Sequence, residues 1–393
     1  MKPFFTSICL LLVMFGLRAQ DSIRKTELHG YVSSMQSVIT NDIAGFWITD
    51  NLIHNRLNFN WYPTQHLTFN LELRNRFLYG DQVKFDADSI GYVKSFDVDN
   101  GAVDLSGNLL SEKSFFLNSM IDRLSLRFEK GKWNVQIGRQ RINWGQTFAW
   151  NPNDIFNIYS YFDFDYEEKP GSDAIRVQYY NSNTSLIEVA IKLNDEGKTT
   201  AAGMYRFNAR GYDVQVLGGI LNEEDYVLGT GWSGGIKNVG FNGEMSYFHP
   251  VENFSDTSGV FIAALSFNYT FSNSLMLMAE GLYSRQPGGI SVSNFMEFYD
   301  GPMTAKSLAF TEYSMVAQAS YPITPLFSAG MGAMYFPKLN GYAFLPNLSL
   351  SLGDNLEMAM FMQSFTGKFP QANSQELEKQ NITMLFLRMK GNF

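Results

Sequence analysis

Apolar and polar residues alternate with a period of two along most of the chain. Leu67, Phe69, Leu71 and Leu73 fall on one side of an extended segment, with Thr68, Asn70, Glu72 and Arg74 on the other. The same pattern sets Phe261, Ala263, Leu265, Phe267, Tyr269 and Phe271 against Ile262, Ala264, Ser266, Asn268 and Thr270. It returns at the end, where Leu385, Leu387 and Met389 alternate with Phe386, Arg388 and Lys390. Segments of about ten residues, apolar on one face and polar on the other, predict strands that separate lipid from a wet interior.

Eighteen such strands can be marked, starting near residues 27, 51, 66, 119, 132, 173, 184, 200, 211, 225, 239, 259, 274, 308, 325, 341, 354 and 381, with sixteen as the alternative count. Short connections follow every even strand, among them Pro63-Thr64-Gln65, Glu129-Lys130-Gly131, Asn181-Ser182-Asn183, Asn208-Ala209-Arg210, Ser272-Asn273 and Gly353-Asp354. The long ones, near 80–118, 140–172, 286–307 and 366–380, all follow odd strands. A transmembrane barrel sorts its connections this way, with short turns at the periplasmic end and long outer loops. A soluble sandwich has no reason to. The expected fold is therefore an all-β, antiparallel, closed transmembrane barrel with its first strand paired to its last.

The first residues supply the export route. Lys2, an apolar run from Ile8 to Leu17, and Leu17-Arg18-Ala19 before Gln20-Asp21 predict a signal peptide over residues 1–19, with the barrel domain over 20–393. The run is too short to cross a bilayer as a helix, and no later segment offers eighteen consecutive apolar residues. Cys9 is the only cysteine, with Ile8 before it where a lipid-attachment site would want a small residue. Past residue 19 the chain can form no disulfide. Residues 1–19 hold Lys2 and Arg18 and no acid, so the remainder carries 28 basic and 38 acidic residues, a formal net charge of −10. That balance argues against nucleic acid as a partner.

Strand parity also sorts the charges. Arg56, Arg74, Arg76, Arg123, Arg127, Arg176, Arg206, Arg388 and Lys390 are expected to point inward on one arc of the wall. Glu244, Glu280, Glu312 and Glu357 are expected to point inward on the facing arc, with Glu72, Glu188 and Asp213 as acidic exceptions on the basic side. Facing walls of opposite charge would set a transverse field across a pore; inward charges that merely solvate a wet lumen would look the same from one sequence.

The third outer loop, 140–172, is the most unusual segment. It carries Trp144, Trp150, Asn151, Pro152 and Asp154, then the aromatic stretch from Tyr159 to Tyr166 with Asp163 and Asp165 inside it. Asn151 suits a helix cap and Pro152 a first helical position, which predicts a short helix there. A loop this aromatic is ill suited to water. It is expected to fold inward, its acids Asp154, Asp163, Asp165, Glu167 and Glu168 meeting the arginines.

The closing strand with its terminal Phe393 resembles the C-terminal assembly signal of Gram-negative outer-membrane proteins, and the chain as a whole resembles their porin superfamily. The run Gly138-Arg139-Gln140, Trp144-Gly145, Asn151-Pro152 and Asp154 is similar to a segment of poorly characterised porin-like barrels. In general porins the loop of this rank narrows the barrel. The resemblance implies a passive outer-membrane channel for small polar or charged solutes, surrounded by outer-membrane lipid, with no enzymatic step and no cofactor. The runner-up is a barrel that scaffolds other envelope proteins or helps to export a polymer.

Other motifs read as bland. Gly229-Thr230-Gly231-Trp232-Ser233-Gly234 matches a dinucleotide pattern but lies in a β meander. His29, His54, His66 and His249 lack metal spacing. The loop pairs Asp86/Asp88, Asp97/Asp99 and Asp163/Asp165 could bind calcium at the cell surface, although loop acids are usually just solvated.

Overall fold

A computed structural model describes residues 25–41, 45–86, 91–158, 162, 166–290, 303–370 and 377–393. The first strands are β1 (Thr26–Thr40), β2 (Trp47–Thr64), β3 (Leu67–Gly80), β4 (Ser106–Ser111), β5 (Phe115–Lys130) and β6 (Trp133–Gln140). Then come β7 (Ser172–Ser182), β8 (Ser185–Leu193), β9 (Thr199–Ala209), β10 (Tyr212–Leu221), β11 (Asp225–Ile236), β12 (Val239–Pro250) and β13 (Val260–Thr270). The last are β14 (Met276–Arg285), β15 (Tyr313–Thr324), β16 (Phe327–Phe336), β17 (Gly341–Gly353), β18 (Leu356–Pro370) and β19 (Leu377–Asn392). β4 pairs with β5 alone; the other strands close into an 18-strand antiparallel barrel.

Closure joins β1 to β19 from Tyr31↔Asn392 to Thr40↔Thr383. Reciprocal backbone bonds between Gly30 and Phe393, 2.9 and 3.0 Å, extend that seam to the last residue. Complete closure matters because an open strand edge inside a bilayer would leave amides with no partner.

Tight turns follow where residues with positive φ allow them. Arg210 (φ 54°) and Gly211 (φ 83°) form the two-residue link between β9 and β10, the left-handed pair that matches the twist of a hairpin. Most connections at the other end are longer, but 222–224 between β10 and β11 is not, and β18 and β19 run further than the pattern suggests and leave only 371–376 between them.

The period of two shows directly as burial. On β14, Met278, Glu280, Leu282 and Ser284 are buried, whereas Leu277 is 40% exposed. The exposed set continues around the barrel through Phe267, Ile175, Ile137, Leu126 and Leu387. A polar row does interrupt the outer face: Asn55, Asn75 and Ser119 stand side by side. They satisfy one another, Asn75 donating to Asn55 at 3.2 Å and Ser119 to Asn75 at 2.8 Å, which lowers the cost of facing lipid.

One irregularity shifts the inward set. Between β3 and β5, Glu72 pairs with Arg123 but Leu73 pairs with Ile121, so Asp122 is the extra residue of a bulge. The bulge turns the consecutive Asp122 and Arg123 both into the interior, at 1% and 8% exposure.

Candidate functional site

The buried faces of the strands and the segment 141–171 meet inside the barrel. The first half of that segment sits on the acidic arc. Glu280 of β14 accepts the backbone N–H groups of Phe148 (2.8 Å), Ala149 (3.1 Å) and Trp150 (2.8 Å). Glu244 of β12 accepts those of Gln146, Thr147 (2.8 Å) and Asn153 (2.9 Å), together with the Thr147 hydroxyl (3.0 Å). Both side chains are buried. Converging N–H donors stabilise a carboxylate there in place of water.

Nearby polar groups fix the remaining backbone. The Trp144 indole donates to Glu188 at 2.9 Å, and Gln215 donates to the Trp144 carbonyl at 2.5 Å. Ser246 donates to the Pro152 carbonyl at 3.0 Å, and Asn153 donates to the Thr230 carbonyl at 3.0 Å. Gly229 and Gly231 make room: a Cβ on either would lie 2.6 or 2.9 Å from the Asn153 amide. The glycine-rich run on β11 is thus a seat for a side chain. The segment then turns with Asp154 N bonded to the Asn151 carbonyl at 3.0 Å. The helix expected from Pro152 does not form: after the Asn151–Asp154 turn the Ile155 N–H donates to the Asn153 carbonyl at 3.0 Å, and residues 151–158 hold only turns, bends and irregular chain.

The second half of the segment sits on the basic arc. Glu167 is 3.1 Å from Arg388 and 2.8 Å from Lys390. Glu168 is 3.4 Å from Arg56 and accepts from the Tyr31 hydroxyl at 3.3 Å. Arg123 donates to the carbonyls of Glu168 (2.8 Å) and Lys169 (2.7 Å). The Tyr166 hydroxyl donates to Asp122 at 2.8 Å, and the Arg74 guanidinium lies 3.8 Å from its ring centre. Arg56 also pairs with Asp122 and Glu72, and Arg74 lies 3.5 Å from Asp122. Gln363 of β18 donates to the Phe162 carbonyl at 2.9 Å.

The inward charges therefore divide. Arg56, Arg74, Arg123, Arg388 and Lys390 gather at the second half of the segment. Arg76 instead donates to the Phe96 carbonyl (3.0 Å) and Asn118 (2.8 Å). Arg176 donates to Gln136 and Arg206 to Gln215, each at 2.9 Å. Arg127 pairs with Glu129 at 3.7 Å near the short-turn end. Glu357 lies 3.5 Å from Arg388, so it joins the basic group; Glu312 is exposed just before β15.

Asp154 does not meet the arginines of β2 to β6. It is 1% exposed, near Glu244, Arg141 and Lys192, and burial pushes its carboxyl up to about 8. Asp163 and Asp165 lie outside the described residues. So does Asp88 of the first calcium pair, while Asp99 is bound to Arg139 at 2.6 Å. Among the described residues no cluster of three His, Cys, Asp or Glu side chains could hold a metal ion.

Strand parity misses two residues. Asp122, at the centre of the Arg56–Arg74–Tyr166 group, is hidden by the bulge; two adjacent charges in an alternating strand were its only trace. Gln215 is neutral, so a search for charges passes it by.

No protein-family model matches the sequence, and no curated protein matches it. Solved structures do. The chain is similar to Acinetobacter baumannii OccAB3 with a TM-score of 0.57 and 10% identity, over 94% of this chain and 100% of that one. It is similar to the Pseudomonas aeruginosa outer membrane protein OpdK with a TM-score of 0.55 and 10% identity, over 93% and 99%. For A. baumannii OccAB1 the values are 0.56, 8%, 96% and 99%. At such identity the likeness is one of fold: the chain forms a closed β-barrel similar to those of these proteins.

Proposed function

We propose that this barrel is an outer-membrane channel through which small polar or charged solutes diffuse passively, and that the segment 141–171 is its constriction. One observation carries the reading: the segment is tied to both arcs of the interior, through its N–H groups to Glu244 and Glu280 and through its own carboxylates to Arg56, Arg388 and Lys390. A chain crossing between opposite walls reduces the free section of a wide barrel. Size would then be screened by the strap, and charge by the arginines beside it. No covalent step is involved.

Conductance in planar bilayers tests this. Deleting residues 148–166 should raise single-channel conductance clearly while the barrel still assembles. Neutralising Arg74 and Arg123 together should move ion selectivity toward cations. Unchanged conductance after the deletion would count against a constriction.

A second reading, a barrel that scaffolds envelope partners, is favoured by a different observation. Trp144, Trp150, Phe156 and Phe162 pack with Phe248, Phe336 and Phe365 in one buried apolar cluster, as in a filled interior. Absence of conductance from intact and deleted protein alike would favour it.

A further inference from the structure

Two features of the wall at β6 belong together. β6 has 8 residues, whereas a tilted transmembrane strand needs about 9–11. Beside it, β5 is 16 residues long and continues past the end of β6. The outer-face row at that level is Leu124↔Arg139↔Asp173↔Leu193. By alternation with Ile137 and Ile175, exposed at 52% and 50%, Arg139 and Asp173 belong to the side that faces lipid.

Arg139 is nevertheless 3% exposed, because the chain between β3 and β4 lies over it. Its guanidinium binds Asp173 (2.8 Å), Asp99 (2.6 Å) and the Val103 carbonyl (2.7 Å). The Val103 N–H donates to Asp173 at 3.1 Å. Gly101 packs on the guanidinium, where a Cβ would collide with it, and bridges to Asn194 beyond β8. The covering chain then rises as β4 and pairs with the part of β5 that lies beyond β6. Leu110 of β4 joins the outer apolar row Ile53↔Phe77↔Leu117. Val98, Val103, Leu109 and Leu110 are exposed at 60%, 57%, 64% and 54%.

We infer that residues 98–111 form an outer layer of the barrel wall, seated in the outer leaflet with Val98, Val103, Leu109 and Leu110 against lipid acyl chains. The layer completes the hydrogen-bond ladder of β5 where β6 stops short, and it removes the Arg139 ion group from hydrocarbon. A charge facing acyl chains without such cover would be costly. The continuity of the row onto Leu110 identifies the occupant, since the rest of the row already faces lipid. The inference rests on the membrane placement of the barrel.

Cys9 is the one cysteine of the sequence, so in a Cys9→Ser background single cysteines at Val103 and Leu109 can carry a nitroxide label alone. Leu265 on the outer face and Asn183 in a short turn serve as references. In lipid bilayers, both loop labels should collide with oxygen in several-fold preference to a water-soluble nickel chelate, as at Leu265. Nickel access equal to that at Asn183 would overturn the inference. Weak access to both reagents, as under a second protein, would overturn it too. If Leu265 itself favoured nickel, the membrane placement would fail instead. Arg139→Met removes the tether and should shift the Val103 label toward nickel; an unmoved label would contradict the role given to Arg139.

Discussion

At the scale of single residues, environment decides what a side chain contributes. Leu265 lies mid-strand on β13 and is 42% exposed on the outer face. Leu265→Arg should destabilise the barrel by about 2–4 kcal/mol, because the guanidinium exchanges water for hydrocarbon. Equilibrium unfolding from lipid vesicles in denaturant measures this. Ser266, one position on, is 2% exposed, so an arginine there meets packed chain rather than open water and is not expected to be silent.

Asp154 offers a pH test. Its carboxyl is raised from 3.8 to about 8 by burial. The seated segment therefore binds a proton more tightly than the released one, and its stability is full below about pH 4. That stability falls as pH rises toward 8 and levels off beyond. Asp154→Asn should remove its share of the dependence, leaving that of the carboxyls of Glu244 and Glu280, which hold the same segment, and should stabilise the segment at neutral pH. Protease susceptibility of 141–171 between pH 5 and 9 reads both effects.

At the scale of elements, the segment 141–171 is held differently at its two ends. Glu280→Ala leaves the N–H groups of Phe148, Ala149 and Trp150 without their acceptor. Each buried donor left unsatisfied costs about 1–3 kcal/mol, so the first half should detach and become open to proteolysis while the barrel persists. Tyr166→Phe removes one hydrogen bond, to Asp122, and should cost only about 0.5–1.5 kcal/mol in the same assay. If Glu280→Ala proved as mild as Tyr166→Phe, the acidic arc would not be the anchor described.

At the scale of the whole molecule, salt should separate the two ends. Glu167 is 46% exposed and its pairs with Arg388 and Lys390 can be screened. At 1 M salt the screening length is about 3 Å, comparable with those separations. The buried bonds at Glu244 and Glu280 are screened far less. Conductance should therefore rise faster than bulk conductivity between 0.1 and 1 M salt, and Glu167→Gln should remove the excess. Strict proportionality in the unaltered protein would show that the charged end does not restrain the pore.

The closed antiparallel barrel was legible in the sequence, because a period of two and turn residues are local signals that a lipid-and-water environment enforces at every strand. Local pattern failed where a partner distant in sequence decided the outcome. Pro152 begins no helix: the chain turns at Asn151–Asp154 and is bound there by Glu244, 91 residues from Asn153, and by Ser246. Glu244 and Glu280 looked like a charged wall open to solvent, yet the backbone of another segment covers both. Asp122 faces inward because a bulge adds a residue against β3. Arg139 lies buried on an outer-face row, under a chain from the preceding outer connection. The sequence by itself determined which residues alternate and hence that the chain closes into a barrel. Only the tertiary structure decided which charges are spent on the segment inside and which side chains are covered outside, since a buried polar group is set by the partners that replace its water, and those arrive from anywhere in the chain.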